Sequence, residues 1–264
     1  MENKSKKYWE KRALALKADA LKLAQQKEKI MEKMWAEAAN ETLREYEKLI
    51  SPFKTADGGY DVSAIRTAFR TDQNFRIKYQ RFSSHLSSYC NKIAISEEKL
   101  MGSLLFDIYK ATELKLIDDS FNLINSSAVE KAVTTPWTND GVIFSERIWK
   151  NTEKLKQEMQ SVMLDSVLKG QNPRKTAKRL ISRYDVGAHE AERLVRTETM
   201  AIYSEAAFNS YLDLGVDEYE ILGDPDDHMC EPSGTRHTMD EFDVGNTAPP
   251  YHPNCKCCIV PVVD

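Results

Sequence analysis

Between Lys4 and Ile50 the chain contains neither glycine nor proline, and an uninterrupted stretch of that length has few alternatives to helix. Apolar residues recur at Trp9, Ala13, Leu16, Ala20, Leu23, Ile30 and Met34, in the steps of three, four and seven that mark an amphipathic helix. A second stripe through Leu14, Leu21, Ala24, Met31, Trp35 and Ala38 widens the apolar face. The helix over 4–50 should therefore be covered on more than one side by other helices or by a neighbouring subunit. Its heptad positions are not consistently filled, which favours a helix of the protein's own bundle over a coiled-coil arm. Ser51-Pro52 ends it, because the residue before proline is pushed out of helical geometry.

Further along, Asp57-Gly58-Gly59 marks a turn, and Asp61-Val62-Ser63 opens a helix through Ile65 and Phe69. Residues 73–95 mix Phe75, Tyr79, Phe82 and Tyr89 with Arg76, Lys78 and Arg81. Aromatics at helical spacing are usually core, and these cations belong to no longer basic run, so the segment reads as packing rather than a nucleic-acid face. Ser96 is expected to cap a helix reaching Leu116. Residues 118–136 read as a short helix and then a loop. Trp137-Thr138-Asn139-Asp140-Gly141 is a tight turn that presents an indole, and Ser145 opens a helix to Gly170. Pro173 opens another, with a joint expected near Tyr184 to Gly187, and a third runs from Ala188 to Leu214 until Gly215 stops it. Val216–Leu222 and Cys258–Val263 read as strands flanking a loop-rich cluster.

The expected fold class is mainly α, with long N-terminal amphipathic helices, a helical middle and a small loop-rich α+β C-terminal module. Its divisions are a helical region 1–136, a three-helix unit 137–215 and a tail module 216–264. A charged fraction of 30% beside 41% hydrophobic residues suits long, partly exposed helices.

Charge is unevenly spread. Residues 1–50 carry twelve Lys and Arg against nine Asp and Glu, whereas residues 201–264 carry two against thirteen. So acidic a tail would repel DNA, and the net charge of −4 does not indicate nucleic-acid contact. The start Met1-Glu2-Asn3-Lys4 leads into charged sequence without an apolar signal region, and no apolar run is long enough to span a membrane. A protein made in a cytosol is expected, with its thiols reduced, so clustered cysteines point to metal ligands or buried thiols rather than disulfides.

Four of the five cysteines lie between Cys230 and Cys258. Cys230, His252, Cys255 and Cys257 are the candidate ligands of a structural zinc ion, with Cys258, His237 and His228 as spares. Thiolates and imidazole suit this borderline-soft ion, and a His-x-x-Cys-x-Cys knuckle can place several donors on one side of it. A loop-rich stretch with Pro225, Pro232, Pro249, Pro250 and Pro253 has little else to define its shape. Reduced, metal-free thiols are the other reading, since Ser233 stands where a Cys-x-x-Cys knuckle would have its second thiol. On the third helix of the middle region, Arg196 and Glu198 suggest a cation and base. Residues two apart on a helix do not face each other, however, so separate structural roles are expected, with Arg196 tying the helix to the acidic tail.

Trp137 with Asp140-Gly141, Arg147-Ile148-Trp149, Gly170, Arg193-Leu194-Val195-Arg196-Thr197-Glu198, Tyr211, Gly215-Val216, Asp227 with Cys230, Gly234, Pro249-Pro250 and His252-Pro253-Asn254-Cys255-Lys256-Cys257 form a series. Together they resemble the phage head morphogenesis family, the minor head proteins similar to the F protein of phage Mu. The resemblance covers roughly residues 137–258. The Arg-Thr-Glu helix and the closing His-Pro-Asn-Cys-Lys-Cys are its most specific parts, and Tyr8-Trp9 with Arg12 also resembles the start of minor capsid proteins of tailed phages.

The resemblance implies a minor virion component of a tailed phage or prophage, in the head at or near the portal vertex. Portal, capsid or scaffolding proteins would be its partners, the host cytoplasm its place of assembly, and DNA packaging or delivery its process. It implies no catalytic residues, so a protein without enzymatic activity is expected. Two alternatives remain. One is a metal-dependent hydrolase or transferase built on Asp224, Asp227, His252 and the Arg196/Glu198 helix, and the other is an internal DNA-binding protein using Arg174, Lys175, Lys178, Arg179 and Arg183.

Overall fold

The computed structural model describes residues 5–116, 126–224 and 230–263. Its order is α1 (Lys6–Ile50), α2 (Val62–Thr71), α3 (Gln73–Leu116), α4 (Ser126–Thr134), α5 (Phe144–Lys169), α6 (Pro173–Asp213), β1 (Glu218–Leu222), β2 (Arg236–Thr238) and β3 (Cys258–Pro261). The fold class is mainly α with a small C-terminal sheet, as the sequence pattern indicates. The sheet is antiparallel in the order β2-β1-β3, with Tyr219 opposite both His237 and Pro261.

Helix boundaries follow local chemistry. The Asp61 carboxylate accepts from Ala64 N at 2.8 Å and caps α2, and Asp72 accepts from Asn74 N at 2.8 Å to start α3. After α5, Gly170 takes φ +62°, and Gln171 N donates to Ser166 O. Asn172 then caps α6 by accepting from Arg174 N at 2.9 Å. Gly215 closes α6 at φ +69°, with Val216 N returning to Tyr211 O, the left-handed ending that glycine adopts without a Cβ penalty.

Two expected breaks are absent. α3 runs through Ser96 without a new cap, because Leu86, Cys90, Ile93, Ala94 and Met101 continue one buried stripe across it. α6 likewise continues through Tyr184 to Gly187, so two helices rather than three occupy 144–213. Gly187 is there for space: a Cβ on it would lie 2.4 Å from the Trp35 ring. The short strand β2 escapes the sequence pattern, since three residues are too few for periodicity to register. The helix expected early in 118–136 falls partly outside the described residues.

Two compact units share these elements. One comprises Met1–Lys29, Lys99–Glu146 and Glu192–Asp264, the other Ile30–Glu98 and Arg147–Ala191. The second unit is a helical core of Trp35, Tyr46, Phe75, Phe82, Leu86, Met159, Met163 and Tyr184. Buried polar ties cross it: Trp35 Nε1 donates to Glu97 at 2.6 Å, and the hydroxyls of Thr42 and Tyr184 meet at 2.6 Å. The first unit is built on the C-terminal half of α6, where Thr199 to Ser204, Ala206, Ala207, Ser210 and Tyr211 are all buried. A helix covered nearly all round is the centre of its bundle, and its small residues permit close approach. Tyr203 OH donates to Ala13 O at 2.9 Å, joining α6 to α1.

Candidate metal centre and its bracing helix

The sulfurs of Cys230, Cys255 and Cys257 lie within 4.8 Å of one another. Cys255 and Cys257 are buried on the irregular segment leading into β3, while Cys230 reaches them from the turn before β2 and is partly covered. Cys230 Sγ is 3.6 Å from Cys255 Sγ and 3.1 Å from His252 Nε2. The second ring nitrogen of His252, Nδ1, is 2.9 Å from Pro253 O. Donation of its proton to that carbonyl leaves Nε2 with a free lone pair turned toward the thiols.

Three thiols and one imidazole are the donor set of a closed tetrahedral zinc site. A zinc–sulfur bond of about 2.3 Å implies sulfur–sulfur edges of about 3.8 Å, close to the Cys230–Cys255 separation. The three thiols can therefore hold a metal, with His252 beside Cys230. Ser233, in the place of a second knuckle thiol, closes the turn through its N–H on Cys230 O at 3.0 Å. The thiol of Cys257 donates to Cys255, which pulls Cys255 below the ordinary range and pushes Cys257 above it. Crowded thiols that cannot all ionise are what a cation would relieve.

Of the spares, Cys258 is fully buried in β3 and its thiol is pushed up to about 12 by burial, as befits a packed core group. The His237 ring is engaged by Thr235 Oγ1 at 3.2 Å and by the Tyr219 ring. His228 and Asp227 lie outside the described residues. Cys90, the remaining thiol, is buried on α3 beside Met159.

The Arg-Thr-Glu run of α6 braces this knuckle. Its three consecutive side chains point to three different segments. Arg196 meets Glu28 on α1 at 3.0 Å and 3.3 Å and pairs with Glu192 on its own helix. The expectation that Arg196 ties the helix to the acidic tail is thus corrected: its partner is the first helix, and Thr197 makes the tie to the tail. Thr197 Oγ1 accepts from Asn254 N at 3.2 Å, inside the His-Pro-Asn-Cys turn, where Asn254 stands at φ +62°. Glu198 is buried and accepts from Trp137 Nε1 at 2.8 Å, fixing the turn before α5. Arg196 and Glu198 consequently do not form a pair.

A residue the sequence pattern hides completes the brace. Lys17 sits on the buried face of α1 at 5% exposure. Its ammonium reaches Asp224 at 2.9 Å and Lys256 O, between the two knuckle cysteines, at 3.1 Å. A lysine inside an apolar stripe was the only available signal. Asp224 is therefore engaged in an ion pair with 6% and 15% of the two side chains exposed.

Three of the basic residues of α6, in the second unit, have partners within that unit: Arg174 donates to Gly58 O, Arg179 to Gln171 Oε1, and Arg183 pairs with Glu158. No described helix is long and apolar enough to cross a membrane.

Neither the curated proteins nor the solved structures contain a match to this chain. Residues 157–260 match the family described as Phage Mu protein F like protein, a stretch that takes in the second half of α5, all of α6 and the whole cysteine knuckle. Across that stretch, which is less than half of the chain, the sequence is similar to the Mu F-like phage proteins.

Proposed function

We propose that the chain is a minor head protein of a tailed phage or prophage, acting at or near the portal vertex through contacts with portal, capsid or scaffolding proteins. One observation supports this reading above others. The family match contains α6, whose Arg196, Thr197 and Glu198 hold Glu28 of α1, the Asn254 turn and Trp137 together, and all of these but Glu28 belong to the family series. Such an arrangement serves a rigid assembly module. A hydrolase would instead require Asp224, His252, Arg196 and Glu198 to converge on a shared cleft, and their partners draw them apart.

Interrupting the coding sequence in the phage or prophage that carries it tests this. The expected outcome is aberrant or non-infectious heads, restored by the intact protein in trans. Normal yields of infectious particles without it would overturn the proposal.

Within that reading, the knuckle is a structural zinc site of Cys230, His252, Cys255 and Cys257. The ion would supply a tetrahedral centre that holds the turn before β2 against the segment entering β3. Elemental mass spectrometry of the purified protein should find about one zinc per chain. A variant with Cys255→Ser and Cys257→Ser should contain none, with a protease-sensitive tail. Absence of metal from the native protein, with an equally resistant tail in the variant, would exclude it.

A further inference from the structure

The first unit holds a cavity of about 500 Å³ on the side of α6 that carries Glu198, within the usual range for ligand pockets. Its walls come from α3, α4, the Trp137 turn, the start of α5, α6 and the segment after β2. None of the cysteines lines it, so it stands apart from the knuckle.

Its chemistry is lopsided. Glu198 and Glu205, seven residues apart, lie on one face of α6, about 10 Å from each other along the axis. Asp243 adds a third carboxyl group, and Lys131 is the cation among the lining residues. The rest is largely apolar or aromatic: Trp137, Phe144, and Phe208 stacked on Phe242 at 3.8 Å between ring centroids. Burial pushes the Glu205 carboxyl upward, only partly offset by the Asn209 side chain and Lys131. The buried Glu198 and half-buried Glu205, beside an indole and a phenyl ring, match a cation carried on an apolar stem. The surrounding 201–264 segment, two cations against thirteen acids, extends the same complementarity outward.

We propose that this cavity receives an arginine or lysine side chain, with an apolar neighbour, from a segment of a partner protein. Glu205 and Glu198 face the cation, and Phe144 and Phe208 cover its stem and the adjacent apolar residue. Trp137 has its indole N–H held by Glu198 and reports occupancy directly.

Nuclear magnetic resonance titration of the full chain tests the proposal. The probes are N-acetyl-Arg-Leu-amide, its citrulline counterpart, which keeps shape and hydrogen bonding but lacks charge, and phenethylamine as a small-molecule amine. The arginine peptide should shift the Trp137 indole N–H resonance and bind at least tenfold more tightly than the citrulline peptide. Glu205→Gln should remove most of that preference while leaving the fold unchanged, because the amide keeps the size of the side chain and its place beside Asn209. Equal binding of the two peptides, or no shift at Trp137, would overturn the proposal. Phenethylamine binding as tightly as the arginine peptide would reassign the site to small amines and so reject a partner segment as its occupant.

Discussion

Two glycines in helix interiors provide a sharp test of the packing. Gly102 in α3 and Gly187 in α6 are chemically the same substitution site: replacing either with alanine lowers the backbone entropy cost of the helix and should gain about 0.5–1 kcal/mol. What differs is space. A Cβ on Gly102 meets nothing within 4 Å, whereas one on Gly187 lies 2.4 Å and 2.5 Å from ring carbons of Trp35. Carbon atoms rest about 3.5–4.0 Å apart, so the ring must move by roughly 1 Å. Trp35 is 6% exposed, its Nε1 is bound to Glu97 at 2.6 Å, and its edge packs on Tyr184. Overpacking of this kind costs about 1–3 kcal/mol, and losing the Glu97 bond adds about 1–3 kcal/mol. Gly187→Ala should therefore destabilise by about 3 kcal/mol net, while Gly102→Ala stabilises. Urea denaturation at unchanged slope reads both. If Gly187→Ala is as stable as Gly102→Ala, Trp35 does not pack where the structure has it.

Glu97 should make stability fall with rising pH. Burial raises its carboxyl from 4.5 to about 7 in the folded chain, so the folded state binds more protons than the unfolded one between those values. Stability then declines across that window by about 3 kcal/mol. Glu97→Gln should flatten the decline when urea midpoints are compared at pH 5 and pH 8; an equally steep dependence in the variant would refute the assignment. Thr197→Val removes the acceptor for Asn254 N and should cost about 0.5–1.5 kcal/mol, together with about tenfold in zinc affinity measured by chelator competition. Asn254→Gly should be tolerated at φ +62°, whereas Asn254→Val should lose about 1–2 kcal/mol by the same denaturation assay.

How much of this was legible in the sequence depends on the range of the signal. α1 was readable because a long run without glycine or proline and with periodic apolar residues has one solution. The knuckle ligands were readable as chemistry, because Cys and His at short spacing advertise themselves. The continuity of α3 and α6 was not, since Ser96 and Gly187 look like helix boundaries until the stripe they interrupt is seen packed. Ser96 has the chemistry of a cap but lies mid-helix, and Gly187 makes room for a tryptophan over a hundred residues away in sequence. The roles of Lys17, Arg196 and Thr197 were hidden for the same reason. Each side chain is defined by a partner distant along the chain, and neither composition nor spacing carries that information.

The most direct test of the account is the protein composition of DNA-filled heads purified through a density gradient and washed at high salt. The chain should be retained in them at a few copies for each portal ring, as quantitative mass spectrometry would read. Its absence from such heads, with the portal and capsid proteins present in normal amounts, would contradict the assignment to head assembly.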